Sequence, residues 1–290
     1  MPMTQLVFSI ELSLHVVTAR VFGLSQNTRT GQYLMCMEYA RGGNLEQYPQ
    51  HSDWHTVFEI ANELAEKLYQ MHKVGIIHQD LHAGNVVFFS NPKSKPSDIG
   101  IWSDLQQTYL YRQRQALRII DVGLGKAVEN WHDNDGVYGR LAYHPPEIFN
   151  MQGYTKASDI YCLGTLLWQI VTTVPPQGVA NQMCEGREDG LREDLIPGAP
   201  EGYNDIIRMC WEQDPSNRPN ISTVSILFTM MRSDSDKTAI PFSRETKAFI
   251  KKRRAAHAKE IKKKDSFAFV SNASRFTTRE ELEQIINSQC

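Results

Sequence analysis

The sequence has no C-x-x-C pair, although it carries five cysteines, Cys36, Cys162, Cys184, Cys210 and Cys290. An odd, scattered set builds neither a disulfide framework nor a metal site, and reads as reduced thiols in an intracellular protein. Nor is there an apolar run of the roughly 20 residues that a membrane span needs. The stretch 160–174 is interrupted by Gly164, Thr165 and Gln169. The apolar stretch 6–17 lacks a basic lead-in and a small-residue cleavage site, and it contains Glu11 and His15. It is a poor signal peptide. Excess charge of one sign is missing too: the net charge of −2 points to no nucleic acid as a general partner. These absences leave a cytoplasmic protein of 290 residues, 41% hydrophobic, long enough for one large domain or two lobes.

What the chain does contain is centred on Ile76-Ile77-His78-Gln79-Asp80-Leu81-His82-Ala83-Gly84-Asn85. An apolar pair enters a short polar loop, and Val86-Val87-Phe88-Phe89 leaves it as a strand. Asp80 and Asn85, five residues apart on one tight loop, can face a common point. There a carboxylate can accept a proton and an amide oxygen can meet a hard cation. Loops with one Asp and one Asn are common, so the partners of this loop decide its meaning. Upstream, Trp54, Phe58, Ala61, Leu64, Leu68 and Met71 recur at three- and four-residue steps after Asp53, a natural N-cap. The spacing predicts a long amphipathic helix, ended near Gly75. Before it, Arg20-Val21-Phe22 and Tyr33-Leu34-Met35-Cys36-Met37-Glu38-Tyr39 read as a hairpin, broken by Ala40-Arg41-Gly42-Gly43. Residues 8–17 are expected to be the end of a helix.

The loop resembles the H-R-D-L-x-x-x-N catalytic loop of eukaryotic protein kinases, with Gln79 in place of the Arg. Its partners follow in order. Asp121-Val122-Gly123 resembles D-F-G, and Tyr143-His144-Pro145-Pro146-Glu147 resembles Y-x-A-P-E, 26 positions later. Ser158-Asp159-Ile160-Tyr161 opens a helix where the family places the Asp that holds the catalytic loop's backbone. Cys210-Trp211-Glu212-Gln213-Asp214-Pro215-Ser216-Asn217-Arg218-Pro219 supplies an Arg that in the family pairs with the Glu of A-P-E, here Glu147. The wording is most similar to tyrosine-kinase-like serine/threonine kinases.

The resemblance implies an α+β, protein-kinase-like fold, mostly the helical C-lobe with a remnant of the N-lobe sheet. Residues 1–43 would be a partial N-lobe and hinge, 44–235 the C-lobe with an insertion at about 90–115, and 236–290 a basic tail. It also implies roles. Asp80 orients the substrate hydroxyl and accepts its proton; Asn85 and Asp121 hold Mg²⁺ against the phosphates of ATP. Met37 is the gatekeeper, the backbone of Glu38 and Ala40 faces the adenine, and Val87 floors its pocket. His82 stands where many Ser/Thr kinases use a Lys near the γ-phosphate. Glu11, in Phe8-Ser9-Ile10-Glu11, resembles the helix Glu of the small lobe. Yet no G-x-G-x-x-G precedes Met37, and residues 1–32 contain no lysine. The family's phosphate lid and Lys–Glu clamp are therefore missing from the pattern. Two readings stay open: a kinase acting on a protein hydroxyl, or a pseudokinase, a kinase-fold module that binds a protein partner without turnover.

Arg244–Lys264 holds ten Lys/Arg against two Glu, leaving 21 basic and 31 acidic residues elsewhere. Phe249, Ile250, Ala256 and Ile261 make a poor apolar stripe. The expectation is a solvated basic helix dispensable for the fold, with a nuclear-import or anionic-surface segment as the sharper alternative. Thr277-x-x-Glu280 has capping-box spacing ahead of Leu282, which predicts one more short helix.

Gln79 generates a prediction. The family's Arg docks a phosphorylated activation segment by charge-assisted bonds, which a neutral amide cannot supply. From Asp121 to Glu147 there is no Ser or Thr, only Tyr138 and Tyr143. Phosphorylating Tyr138 is expected to change activity less than about tenfold, or about 1.4 kcal/mol, in an assay of matched phosphorylated and unphosphorylated chains.

Overall fold

The computed structural model describes residues 17–89, 117–122, 136–150, 153–177, 193–235, 240–264 and 275–278, with 281 and 284. The readings at 8–17 (Val17 apart), Glu11, the 90–115 insertion and Gly123 lie outside the described residues; of the short helix expected after Glu280, Glu281 and Gln284 are described, and both are helical.

Strands β1 (Val21–Gln26) and β2 (Tyr33–Met37) form an antiparallel hairpin with a register shift between Val21 and Gly23. Helix α1 (Trp54–Lys73) follows. The Asp53 carboxylate accepts from Thr56 N at 2.8 Å and from Thr56 Oγ1 at 3.2 Å, which satisfies an orphan donor of the first turn. The helix stops at Val74, and Gly75 takes the left-handed φ of 79° that only glycine adopts without cost. Strands β3 (Val86–Phe88) and β4 (Leu117–Ile119) pair antiparallel. A third pair joins β5 (Gly136–Gly139) to β6 (Arg275–Thr278). The remaining α-helices among the described residues are α2 (Pro146–Phe149), α3 (Lys156–Thr172), α4 (Tyr203–Cys210), α5 (Ile221–Ser235) and α6 (Arg244–Lys264). Among the described residues the sheets are thus three two-stranded pieces around a helical body, the α+β arrangement expected.

Helix α3 is the centre of that body. It is buried on all sides from Ser158 to Thr172, the mark of a core helix rather than a surface one. Gly164, which broke the apolar run in the sequence, is a packing residue. A Cβ there would come within 2.6 Å of Cys210 Cβ on α4, so the glycine sets how close the two helices lie. Around α3 gather Leu64, Leu68 and Met71 of α1, Tyr203 and Ile207 of α4, and Phe228 of α5. Cys162 and Cys210 lie inside this core, and burial pushes the Cys210 thiol up to about 12.

The expectation of a solvated, dispensable basic helix is corrected. The chain ahead of α6 pairs with the start of α1 through Trp54 N to Ile240 O and Phe242 N to Ser52 O, both at 2.8 Å. Phe242 and Ile250 join the core, and Phe242 packs edge-on against Trp54 at 5.0 Å. Arg253 turns inward to Glu193 at 2.9 Å, and Arg254 reaches Thr173 Oγ1. Among the residues whose side chains are described, the outward cations of α6 are Arg244, Lys247, Lys251, Lys252 and Lys259. The helix is basic on one face and structural on the other.

Glu63 of α1 links the helix to β4 by accepting from Leu117 N at 3.0 Å. Desolvation pushes its carboxyl up to about 7, against the opposing pull of Lys67. The unfolded chain loses this proton near the ordinary glutamate value while the folded chain keeps it. Stability is therefore full below that value and is lost as pH rises through about 7. Glu63 retains some solvent contact, which limits the effect. Glu63→Gln should stabilise the protein by about 1–3 kcal/mol at pH 8 and by almost nothing at pH 4.5, read from melting temperatures across that range.

Candidate active site

The loop after α1 is fixed from below by one carboxylate. Asp159, fully buried at the start of α3, accepts from His78 N at 2.9 Å, from Gln79 N at 3.2 Å and from His72 Nε2 at 2.9 Å. These bonds hold Gln79 at φ 71°, a left-handed conformation costly for a residue with a Cβ. The His78 ring then braces the loop sideways. Its Nδ1 accepts from Asp80 N at 3.2 Å, so the proton sits on Nε2, which donates to Ile120 O at 3.0 Å. Burial lowers the His78 pKa and keeps that acceptor available.

Asp80 and Asn85 are brought together as expected. Asn85 Nδ2 donates to Asp80 O at 2.9 Å, and Asn85 O accepts from Ile120 N at 2.9 Å. With its amide nitrogen tied back, the Asn85 amide presents its oxygen as the remaining polar face. The residue after Ile120 is Asp121, also in the left-handed region at φ 60°. It keeps solvent contact, yet desolvation raises its pKa, aided by the Asp80 charge and opposed by His78 and His82. Two non-glycine residues in this conformation flank one site. Strain of that kind points to function.

Asp80 Oδ1 accepts from Arg140 N at 3.3 Å, and Asp80 Oδ2 lies 3.6 Å from His82 Nε2. His82 Nδ1 accepts from Gly84 N at 3.0 Å, which leaves a neutral ring's proton on the nitrogen facing Asp80. His82 therefore serves the loop and the candidate base, an inward role. Arg140 and Glu46 were not legible in advance. The Arg140 guanidinium pairs with Glu46, 94 positions away, and a Cβ on Gly84 would come within 2.6 Å of Arg140 Nη2. No local pattern announces a pair so distant.

After β2, Gly42 N donates to Phe88 O at 2.8 Å and Phe88 N to Gly43 O at 2.9 Å, which joins the turn at 42–43 to β3. Val87 is buried in that strand and bridges Asn44. Glu38 spends its N–H on Arg20 O, and Ala40 spends its carbonyl on Gly43 N. Met37 lies opposite Val21 on the hairpin. The turn and Val87 thus share one bonded patch, while Met37 belongs to the more exposed hairpin beside it.

Arg218 meets Glu147 in a bidentate pair, Nη1 to Oε1 and Nη2 to Oε2, each 2.7 Å, with both residues buried. The chain matches the family described as protein tyrosine and serine/threonine kinase over residues 11–228. It belongs to that family. A probable serine/threonine-protein kinase of Dictyostelium discoideum is 26% identical over 218 residues, covering 73% of this chain and 14% of that protein. A mitogen-activated protein kinase kinase kinase of Drosophila melanogaster is 26% identical over 218 residues, 72% of this chain and 17% of its own. The human ankyrin repeat and protein kinase domain-containing protein 1 is 27% identical over 236 residues, 74% and 28%. The chain spans less than a third of the length of each of these relatives.

The buried pair generates the prediction here. Arg218→Ala leaves Glu147 buried without its cation and strips donors from Ala157 O, Glu212 O and Gln213 O. The expected loss is about 3–5 kcal/mol, measured by denaturant unfolding.

Proposed function

We propose that this chain is a protein kinase domain that transfers the γ-phosphoryl of ATP to a protein hydroxyl, Ser or Thr before Tyr, in a cytoplasmic setting. The observation that carries the reading is the fixed juxtaposition of Asp80, Asn85 and Asp121 on two adjacent, braced segments. Asp80 Oδ1 accepts the proton of the incoming hydroxyl as its oxygen attacks the γ-phosphorus. The bond to the β–γ bridging oxygen breaks, and ADP leaves. Arg140 N bonds the carboxylate, and Asn85 Nδ2 bonds the Asp80 backbone carbonyl, which fixes the main chain that carries it for that step. The Asn85 oxygen and the Asp121 carboxylate are hard oxygen donors that suit Mg²⁺, which takes one or two protein ligands and completes its shell with phosphates and water. Mg²⁺ would supply charge neutralisation between the β- and γ-phosphates. The turn at 40–43 and Val87 would receive the adenine, through the Glu38 carbonyl and the Ala40 amide. The exposed lysines of α6 suit anionic surfaces or nuclear import.

The sequence holds no lysine before Lys67, which weakens the phosphate clamp. Loss of one preorganised charge contact costs on the order of 10²–10³ in rate. The expected result is Mg²⁺-dependent ATP binding with transfer at least 10²-fold below about 1 per second, abolished by Asp80→Asn. Titration of Mg-ATP, with radiolabelled phosphate followed onto a generic protein, measures both. Transfer that survives Asp80→Asn removes Asp80 from its role. Absence of both binding and transfer replaces the enzyme with a kinase-fold binding module.

A further inference from the structure

The strand that runs into the site is already paired. β5 lies antiparallel to β6, with Gly136 opposite Thr278, Val137 opposite Thr277, Tyr138 opposite Phe276 and Gly139 opposite Arg275. β5 ends one residue before Arg140, whose N–H bonds Asp80. A Cβ on Gly139 would come within 2.7 Å of Asp80 Oδ1, so the edge taken by β6 begins at the candidate base itself. An unpaired strand edge recruits an extended peptide through main-chain bonds, largely independent of sequence. Here the occupant comes from the end of the same chain.

We propose that the β5 edge is a docking surface for an extended peptide, and that Arg275–Thr278 occupies it in cis and must be displaced before a protein substrate reaches Asp80. The proposal rests on the kinase reading for its consequence, though not for the pairing. The tether favours the cis occupant. Helix α6 is anchored in the helical body by Ile250 and by the inward Arg253 and Arg254. Residues 265–274 join it to β6, and ten residues span at most ~33–36 Å. A link of that kind gives an effective concentration on the order of mM, so even a strand that binds feebly in trans fills the edge. The strand itself is suited to pairing: Phe276, Thr277 and Thr278 favour extended structure, and no proline removes a ladder donor. The register also separates occupant from substrate. Thr277 lies two positions along from the residue opposite Gly139, roughly 7 Å away at strand spacing, so it is Arg275 that stands level with the end nearest Asp80.

The test compares the full chain with full-length Thr277→Pro, which removes one N–H and the extended freedom of the strand. The probe is a fluorescein-labelled peptide of residues 272–281. The variant should bind it at least tenfold more tightly than the unsubstituted chain. Amides of 136–140 should exchange at least tenfold faster in the variant, and slow again when peptide is added. T277G/T278G, with its backbone donors intact, should move both readouts the same way by a smaller factor. Equal peptide affinity in all three chains, or unchanged exchange at 136–140, overturns the proposal. Phosphate transfer is read separately: if it is present, the KM for a peptide substrate should fall in the variants, and an unchanged KM overturns the displacement step. If transfer is absent from every chain, the kinase reading fails while peptide binding and exchange still decide the docking edge.

Discussion

The fully buried carboxylate of Asp159 is the constraint on which the site depends. It accepts two backbone N–H groups of the loop at 78–79 and one imidazole from the end of α1, so it joins α1, α3 and the loop at a single point. A buried carboxylate with too few donors would be costly, and three donors offset much of that cost. Because the donors are backbone groups, the carboxylate dictates conformation as well as position. Gln79 can hold a left-handed φ because both its own amide and that of His78 are pinned to the same side chain. Asp80, the candidate base, hangs from that strained residue.

The second clamp starts within two residues of the first. Arg218 pairs with Glu147 and also donates to Ala157 O, while Ser158 Oγ donates to Glu147 Oε1. Ala157, Ser158 and Asp159 are consecutive in the first turn of α3. One helix start therefore anchors the loop that carries the candidate base and the segment after β5 that lies over it. Thr155 N donates to Ser158 Oγ at 3.1 Å, so the same serine also closes the turn that begins the helix. Distance between the two walls of the site is set by this turn, and α3 itself is immobilised by being buried on all sides.

How much of this was legible depended on whether the physics is local. Asp53 and Gly75 bracket α1 as read, because caps and stops act within a turn. The order of the acidic, amide and arginine motifs located the site, because each needs its own residue types at short spacing. The tail was misread for a definable reason. Its inward positions after Phe242 are Thr246, Ile250 and then Arg253 and Arg254, at steps of three and four. A scan for apolar residues passes over a stripe built from a threonine bonded to Pro197 O and two arginines that satisfy partners on other elements. Arg140 with Glu46, and β5 with β6, were illegible because pairing across such separations leaves no trace in either segment alone.

The hairpin shows the opposite relation between sequence and context. Phe22, Leu24, Tyr33 and Leu34 are all about half exposed or more, on strands whose alternation gave no clear inner face. A two-stranded sheet is marginal in water, since it buries little apolar surface on either side. Its attachment to the body runs instead through its two ends: the turn at 42–43 makes two backbone bonds to Phe88, and ahead of β1 Val17 O accepts from Ile119 N at 3.0 Å and Thr18 O from Arg118 Nη1 at 3.2 Å. The rigid part of the proposed adenine site is therefore the turn and Val87, with β1 and β2 the softer wall. Nucleotide affinity would be set by the turn and by the oxygen donors at Asn85 and Asp121. Any ordering of the hairpin on binding would subtract from that affinity, because fixing backbone costs about 1–2 kcal/mol per residue.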